Sequence, residues 1–331
     1  MRTTEIVLCG PQTPLPRVSV LGLGCAAMLG RAGRRDSLAA LGAAYDAGIT
    51  FYDTARSYGY GACEGLLGEF FAGKKRDFVV LSTKFGIVPA NPNGWKQRVK
   101  PLARAAIRLF PGLRGLARRQ AADQFASGQF TVEILKSSFE MSLRELKTDY
   151  VDVLLMHAAP ISALEQDSLM EELGRLVEAG KVRMAGISGE EDVIGAVFAN
   201  RPSQLTTAQF ALNIFNLAFT AQTVRAAQSM FLVANHPFGG PEGVSRCREQ
   251  IARMRASAEL PALLREKLDP ADESLLPELV LNSILNETGI SVVIPSMMQL
   301  KHLQSNIKAV EHCRFSPEEL AMIRLAAQHA A

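Results

Sequence analysis

Short apolar runs recur along the chain, with segments of helical spacing between them. Four of these runs come just after a glycine, at Gly48, Gly73, Gly180 and Gly289. A glycine directly past a helix adopts the left-handed conformation that closes the last turn. The runs are four to eight residues long and rich in Val, Ile, Leu and Phe. Such near-continuous apolar runs are typical of parallel strands that are covered on both faces.

Eight β-like runs alternate with eight helical patterns. The runs are Val18–Leu23, the run ending at Asp53, Phe78–Lys84, Tyr150–His157, Val182–Ser188, Leu205–Phe210, Met230–Ala234 and Ser291–Pro295. The helical patterns are Ser37–Asp46, Glu64–Ala72, Thr131–Leu146, Leu164–Ala179, Asp192–Asn200, Ala221–Gln228, Ser274–Thr288 and Met298–Val310. This alternation predicts an α/β fold, a (β/α)8 TIM barrel that forms one domain over residues 1–331.

Two long segments, an extra helix and a short hairpin exceed the minimal repeat. Gly86–Phe130 and Pro241–Pro270 follow the third and seventh strands, and we predict both as long loops at the face where barrel enzymes build their sites. Ser316 begins a capping pattern that predicts an extra C-terminal helix. The runs Glu5–Cys9 and Arg17–Leu21 predict a short hairpin over the lower end of the barrel.

Composition narrows the class of protein. The 331 residues include 36 Lys and Arg against 33 Asp and Glu, a formal net charge of +3, which is too balanced to indicate nucleic acid or a membrane surface. No apolar stretch reaches the roughly 18 residues of a membrane span, and the N-terminal apolar run is too short for a signal peptide. The five cysteines are scattered, without a CxxC pair. We therefore expect free thiols, a cytoplasmic protein and no metal site.

One glycine motif points to a different fold. Gly22, Gly24 and Ala27 match the G-x-G-x-x-A fingerprint of dinucleotide-binding Rossmann folds. That fingerprint needs a helix to open at the glycines, whereas the helical pattern here starts near Asp36. The match is weak, but it leaves a Rossmann dehydrogenase as one alternative.

Four polar residues lie where predicted strands end or just beyond. Asp53, Lys84 and His157 close apolar runs, and Tyr58 follows Asp53 by five residues. A phenol has an ordinary pKa near 10, and an adjacent ammonium favours its ionised form. We expect Asp53 to hold Lys84, Lys84 to lower the pKa of Tyr58, and His157 to orient a substrate carbonyl. A side chain cannot deliver hydride, so this set predicts a nicotinamide cofactor.

The sequence resembles the aldo-keto reductases. The resemblance rests on blocks in the family's order, which are Phe51–Gly68, Ser82–Gly86, Asp149–His157, Gly180–Ser188 and Val293–Asn306. It implies a (β/α)8 barrel with the cofactor extended across its C-terminal rim. It also implies that Asp53, Tyr58, Lys84 and His157 form the family's catalytic tetrad.

The resemblance also implies cofactor contacts. Ser188 and Gln209 would bind the nicotinamide carboxamide, and Asn306 the adenine. Asn235 takes the place of the family's usual stacking aromatic residue, and Gly189 that of a common Asn. The segment after the eighth strand supplies two more predicted contacts, Ser296 and Gln299. Many members have Lys or Arg at the positions of Ser296 and His302, where these cations bind the 2′-phosphate of NADP. With Lys301 as a partial replacement, NADP(H) is expected in preference to NAD(H).

The expected function is the reduction of an aldehyde or ketone, or the reverse oxidation of an alcohol, with Tyr58 as proton donor. Potassium-channel β-subunits in the same family offer an alternative, a cofactor-binding protein that reports redox state to a partner. The basic segment from Lys96 to Arg119 is interpreted as a solvated face, with attraction of an anionic substrate as a second possibility and docking to a membrane surface or a partner as a third. Trp95 is a candidate wall of the substrate pocket. Oligomeric state is left open.

Overall fold

The computed structural model describes residues 3–4, 18–88, 128–200, 202–214, 230–287 and 289–329. Eight parallel strands form one sheet in which each strand pairs with the next along the chain. They are β1 (Leu23–Gly24), β2 (Phe51–Asp53), β3 (Val80–Phe85), β4 (Val151–His157), β5 (Val182–Ser188), β6 (Thr207–Ala211), β7 (Phe231–Asn235) and β8 (Val292–Ile294).

The first and last strands close the sheet into a barrel. Leu21 forms a parallel bridge to Val293. The Gly22 amide donates to the Val293 carbonyl at 2.8 Å, and the Gly24 amide donates to the Pro295 carbonyl at 3.1 Å. The predicted (β/α)8 barrel is confirmed, and the Rossmann alternative is wrong.

The closure explains the two glycines of the dinucleotide-like motif. A Cβ on Gly22 would lie 2.8 Å from the Ile294 side chain, and one on Gly24 would lie 3.1 Å from the Ile294 carbonyl oxygen. Real Cβ atoms rarely tolerate such contacts, so both positions need glycine for the close approach of β1 to β8. The motif therefore serves strand packing.

Helices surround the barrel. They are α1 (Arg34–Asp46), α2 (Cys63–Phe71), α3 (Val132–Leu146), α4 (Ile161–Leu164), α5 (Asp167–Glu178), α6 (Glu191–Asn200), α7 (Gly240–Ala256), α8 (Ala262–Lys267), α9 (Leu275–Glu287), α10 (Leu300–Glu311) and α11 (Pro317–His329). The helix predicted from Ser316 is present as α11, whose Ser316 and Glu319 form the reciprocal cap. None of the helices in the described ranges is long and apolar enough to cross a bilayer.

The prediction of a long loop at Pro241–Pro270 is wrong, because this stretch contains most of α7 and all of α8. A narrow apolar stripe, formed by half-buried Val244 and by buried Cys247, Ile251 and Met254, is the face that α7 turns toward the protein interior. These residues are spaced by three, four and three positions, as a helix requires. Charged residues dominate the rest of the helix, so the helical spacing of the apolar residues is difficult to detect in the sequence.

Three predictions fall wholly or mainly on residues outside the described ranges. One is the helix Ala221–Gln228, and another is the first long segment with Trp95 and the basic residues from Lys96 to Arg119. The third is the N-terminal hairpin, of which Glu5–Cys9 is not described. The described part pairs Thr3–Thr4 antiparallel with Val18–Ser19.

Alternation along the strands separates two packed regions. Inward-facing side chains fill the barrel with a core of Val18, Phe51, Val80, Val153, Leu155, Met184, Phe231, Val233, Val292 and Ile294. Their neighbours in sequence, such as Leu154 and Ile187, pack outward against the helices. Continuing the inward face by two residues reaches the polar strand ends.

Gly186 on β5 marks a close approach of strand β6. A Cβ at this position would lie 2.1 Å from the backbone oxygen of Thr207. We predict that Gly186→Ala lowers the free energy of unfolding by about 1–3 kcal/mol, because neither strand can move without disturbing the barrel. Urea-induced unfolding measures this change.

Gly42 provides the matched control. It lies within α1, where an added Cβ meets no atom within 4 Å. Gly42→Ala should raise stability by up to about 1 kcal/mol through helix propensity. An equal response of the two variants would contradict the packing assigned to Gly186.

Candidate active site

The C-terminal ends of the strands carry a connected polar cluster. Asp53 ends β2, Lys84 lies near the end of β3, and His157 and Ser188 end β4 and β5. The strand register places Ser188 beside both His157 and Gln209. The predicted residues from these strands therefore share one rim of the barrel.

A buried ion pair lies at the centre of the cluster. The Lys84 ammonium donates to Asp53 Oδ2 at 2.6 Å and to the Thr54 carbonyl at 2.9 Å. Both side chains are almost fully buried. Burial alone would lower the pKa of Lys84, but Asp53 and Tyr58 outweigh it, so the pKa is raised and the lysine is charged at neutral pH.

The second carboxylate oxygen of Asp53 is also satisfied. Asp53 Oδ1 accepts hydrogen bonds from Ser82 Oγ at 3.0 Å and from Gln209 Nε2 at 2.9 Å. Gln209 Oε1 in turn accepts from Ser188 Oγ at 2.7 Å. A chain of hydrogen bonds thus connects the two predicted carboxamide contacts to the ion pair.

Tyr58 reaches the same ammonium from the loop after β2. Its hydroxyl lies 3.3 Å from Lys84 Nζ. Burial raises the pKa of the Tyr58 phenol, and the Lys84 charge opposes that rise. Lys84 acts in the predicted direction, but burial is the larger effect, so the net pKa lies above its ordinary value. The expectation of a net lowering is therefore corrected for this protein without bound ligand.

His157 packs edge-on against Tyr58, with ring centroids 5.9 Å apart. Burial and the nearby Lys84 charge lower the pKa of His157 to about 3. The imidazole is therefore neutral at neutral pH, with one nitrogen that donates and one that accepts. Its Nδ1 atom is buried and has no hydrogen-bond partner among the residues that the structure describes.

The remaining predicted contacts lie around β7 and β8. Asn235 ends β7, and its Oδ1 atom is buried with no partner in the described part of the chain. Ser296 and Gln299 are exposed, and Gln299 is the N-cap residue of α10. Asn306 is buried on the same helix. The Lys301 ammonium lies 2.7 Å from Glu273 in an exposed ion pair.

A second ion pair supports the Tyr58 loop and was missed from the sequence. Arg56 binds Glu64 on α2, and Thr83 Oγ1 donates to the same carboxylate at 2.5 Å. Arg56 and Glu64 are both buried. The sequence did contain a signal for the position of Thr83. If Ser82 and Lys84 face inward, strand alternation requires Thr83 to face the surrounding helices. Among the described residues, no cluster of three His, Cys, Asp or Glu side chains could hold a metal ion.

Comparison with known proteins identifies the family to which this barrel with its charged rim belongs. The model of the aldo/keto reductase family matches residues 20–327, so the chain belongs to that family. It is an NAD(P)-dependent oxidoreductase that acts on carbonyl compounds.

Two curated relatives match most of the chain. Probable aldo-keto reductase 1 from Glycine max is 26% identical over 314 residues, which cover 88% of this chain and 81% of the relative. A Schizosaccharomyces pombe (strain 972 / ATCC 24843) protein, aldo-keto reductase yakc, carries NADP(+) in its name. It is 24% identical over 327 residues, which cover 89% of this chain and 84% of the relative.

A solved structure supports the fold. The holo form of aldo-keto reductase AKR11C1 from Bacillus halodurans superposes with a TM-score of 0.69 at 21% identity. The alignment covers 98% of this chain and 96% of that structure. At this identity the similarity concerns the barrel alone.

The neutral state of His157 predicts acid sensitivity. In the unfolded chain a histidine titrates near pH 6.5, whereas folded His157 stays neutral until about pH 3. The unfolded state therefore binds more protons in this window, and stability falls as the pH falls. Between pH 7 and 4.5 we expect His157→Gln to lose about 2 kcal/mol less stability than the wild type.

Urea unfolding at the two pH values measures the difference. His302→Gln, at an exposed histidine on α10, is the control and should follow the wild type. Equal losses in His157→Gln and the wild type would contradict a buried neutral imidazole.

Proposed function

We propose that this protein reduces an aldehyde or ketone to an alcohol, and runs the reverse oxidation, with Tyr58 as the proton donor. The observation that carries the proposal is the contact of the Tyr58 hydroxyl with a lysine that is itself held by Asp53. This arrangement fixes a phenol against a permanent positive charge. Lys84 stabilises the phenolate that remains when the proton leaves.

The rim has unsatisfied polar groups for a ligand. Within the described residues, His157 Nδ1 and Asn235 Oδ1 are both buried without partners, and such groups are costly unless a bound molecule satisfies them. A bound nicotinamide cofactor supplies the hydride. Its binding residues are proposed as Ser188, Gln209, Asn235, Ser296, Gln299 and Asn306.

Each member of the tetrad has a separate role in the proposal. Asp53 holds and orients Lys84. Neutral His157 donates a hydrogen bond to the substrate carbonyl oxygen and directs it toward Tyr58. The proton then moves from the phenol oxygen to the carbonyl oxygen as hydride arrives at the carbonyl carbon.

We propose NADP(H) as the preferred cofactor over NAD(H). Support comes from the relative whose name includes NADP(+). The exposed pair of Lys301 with Glu273 adds little stability, so a phosphate can compete for this cation. The alternative function, a redox-reporting partner protein like the channel β-subunits, is not supported over the function of an enzyme.

Removing the phenol hydroxyl tests the proton donor. Tyr58→Phe deletes the transferable proton and keeps the ring, so we expect kcat to fall at least about 100-fold. Binding of NADPH, measured by its fluorescence, should persist because Tyr58 is not among the residues proposed to bind the cofactor. Turnover close to the wild-type value would refute Tyr58 as the donor.

Removing the ammonium tests its effect on the phenol. In Lys84→Met the phenol loses the charge that opposes the burial effect, so its pKa rises further. A general acid works only while protonated. The fall of the reduction rate at alkaline pH should therefore move to higher pH, and the maximum should be lower.

The pH dependence of kcat/KM measures both effects. Lys136→Met is a suitable control, since this lysine lies on the barrel exterior in α3. If the rate falls at the same alkaline pH in Lys84→Met and in the wild type, Lys84 does not lower the pKa of Tyr58.

A further inference from the structure

An open cleft of about 500 Å³ lies beside Tyr58. Its described lining includes Ala26, Ile87 and Tyr60, which present apolar and aromatic surface, and a single charged residue, Arg31. Arg31 lies on the loop between β1 and α1, remote in sequence from the tetrad. It plays no part in the proton transfer proposed above.

The loop that carries Arg31 is held firmly against the Tyr58 loop. The Met28 amide donates to the Cys25 carbonyl at 2.9 Å, and the Ala32 amide donates to the Ala27 carbonyl at 2.8 Å. A Cβ on Gly59 would lie 2.9 Å from the Met28 carbonyl oxygen. The two loops are therefore packed backbone to backbone, which fixes the base of the Arg31 side chain at the cleft.

The other charges around the site are compensated. Lys84 pairs with Asp53, and Arg56 pairs with Glu64. Arg31 is exposed, and within the described residues its side chain has no hydrogen bond or ion pair. The described part of the cleft thus carries one uncompensated positive charge.

We infer that Arg31 selects carbonyl substrates that carry an oxyanion, a carboxylate or a phosphate, away from the reacting carbonyl. The inference rests on the proposed function, because it assigns a substrate class to the same site. A guanidinium binds such groups through two parallel charge-assisted hydrogen bonds. The apolar and aromatic lining accommodates the carbon framework between the carbonyl and the anion.

Matched pairs of aldehydes test this selectivity. 4-Carboxybenzaldehyde and 4-carbamoylbenzaldehyde have similar size and differ in charge, and glyceraldehyde 3-phosphate with glyceraldehyde forms the phosphate pair. The wild type should have the higher kcat/KM for at least one anionic member. In Arg31→Met this preference should fall about tenfold or more, chiefly through KM, because the lost contact binds ground state and transition state alike.

Two further variants make the test specific. Arg31→Lys should restore part of the preference, since it keeps the charge and loses the bidentate geometry. Arg35→Met removes an exposed arginine on α1 outside the cleft lining, and it should keep the wild-type ratio. The pair of aldehydes that responds distinguishes a carboxylate from a phosphate.

Two kinetic results would overturn the inference. One is an unchanged ratio in Arg31→Met for both pairs. The other is an equal loss for charged and neutral aldehydes together with weaker NADPH binding, which would assign Arg31 to the cofactor.

Calorimetry separates this inference from the proposed function. Binding of 4-carboxybenzyl alcohol and 4-carbamoylbenzyl alcohol is measured with the complex of the protein and NADP+. A preference for the anion that depends on Arg31, in a protein that reduces neither aldehyde, would support the inference and contradict only the proposed function. Equal binding of the two alcohols would contradict the inference.

Discussion

The buried pair of Lys84 and Asp53 is the interaction on which the rest of the site depends. Each charge loses its hydration inside the barrel, a cost of several kcal/mol that only close pairing and further hydrogen bonds can offset. Ser82, Gln209 and the Thr54 carbonyl provide those bonds. Because these partners come from β3, β6 and the end of β2, the pair is stable only when the strands hold their register.

The same strands provide both stability and chemistry through simple alternation. Inward positions form an apolar core through most of the barrel, and the last inward position of several strands is polar. The placement of these polar residues was largely predictable, because three apolar runs end in Asp53, Lys84 and His157, and the ends of parallel strands share one rim. The register then follows from the parallel pairing of strands adjacent in sequence.

Other features could not be read from the sequence, for identifiable reasons. Helix α7 has only a narrow apolar stripe among many charges, so its period was obscured. The bond from Gln209 to Asp53 crosses the barrel from β6 to β2 and joins residues 156 positions apart. The net pKa of Tyr58 depends on how deeply the phenol is buried, and spacing along the chain gives no measure of that depth. The family resemblance implied the tetrad, and both the tetrad and the roles assigned to its residues stay predictions.

The central claim is that the ammonium of Lys84 lowers the pKa of the Tyr58 phenol against the opposing effect of burial. Carbon-13 NMR of protein labelled at the tyrosine ring carbon that bears the oxygen measures this directly, with the Tyr58 signal assigned by its loss in Tyr58→Phe. The Tyr58 signal should begin to titrate at lower pH in the wild type than in Lys84→Met. Titration at the same pH in both proteins, or at lower pH in the variant, would contradict it.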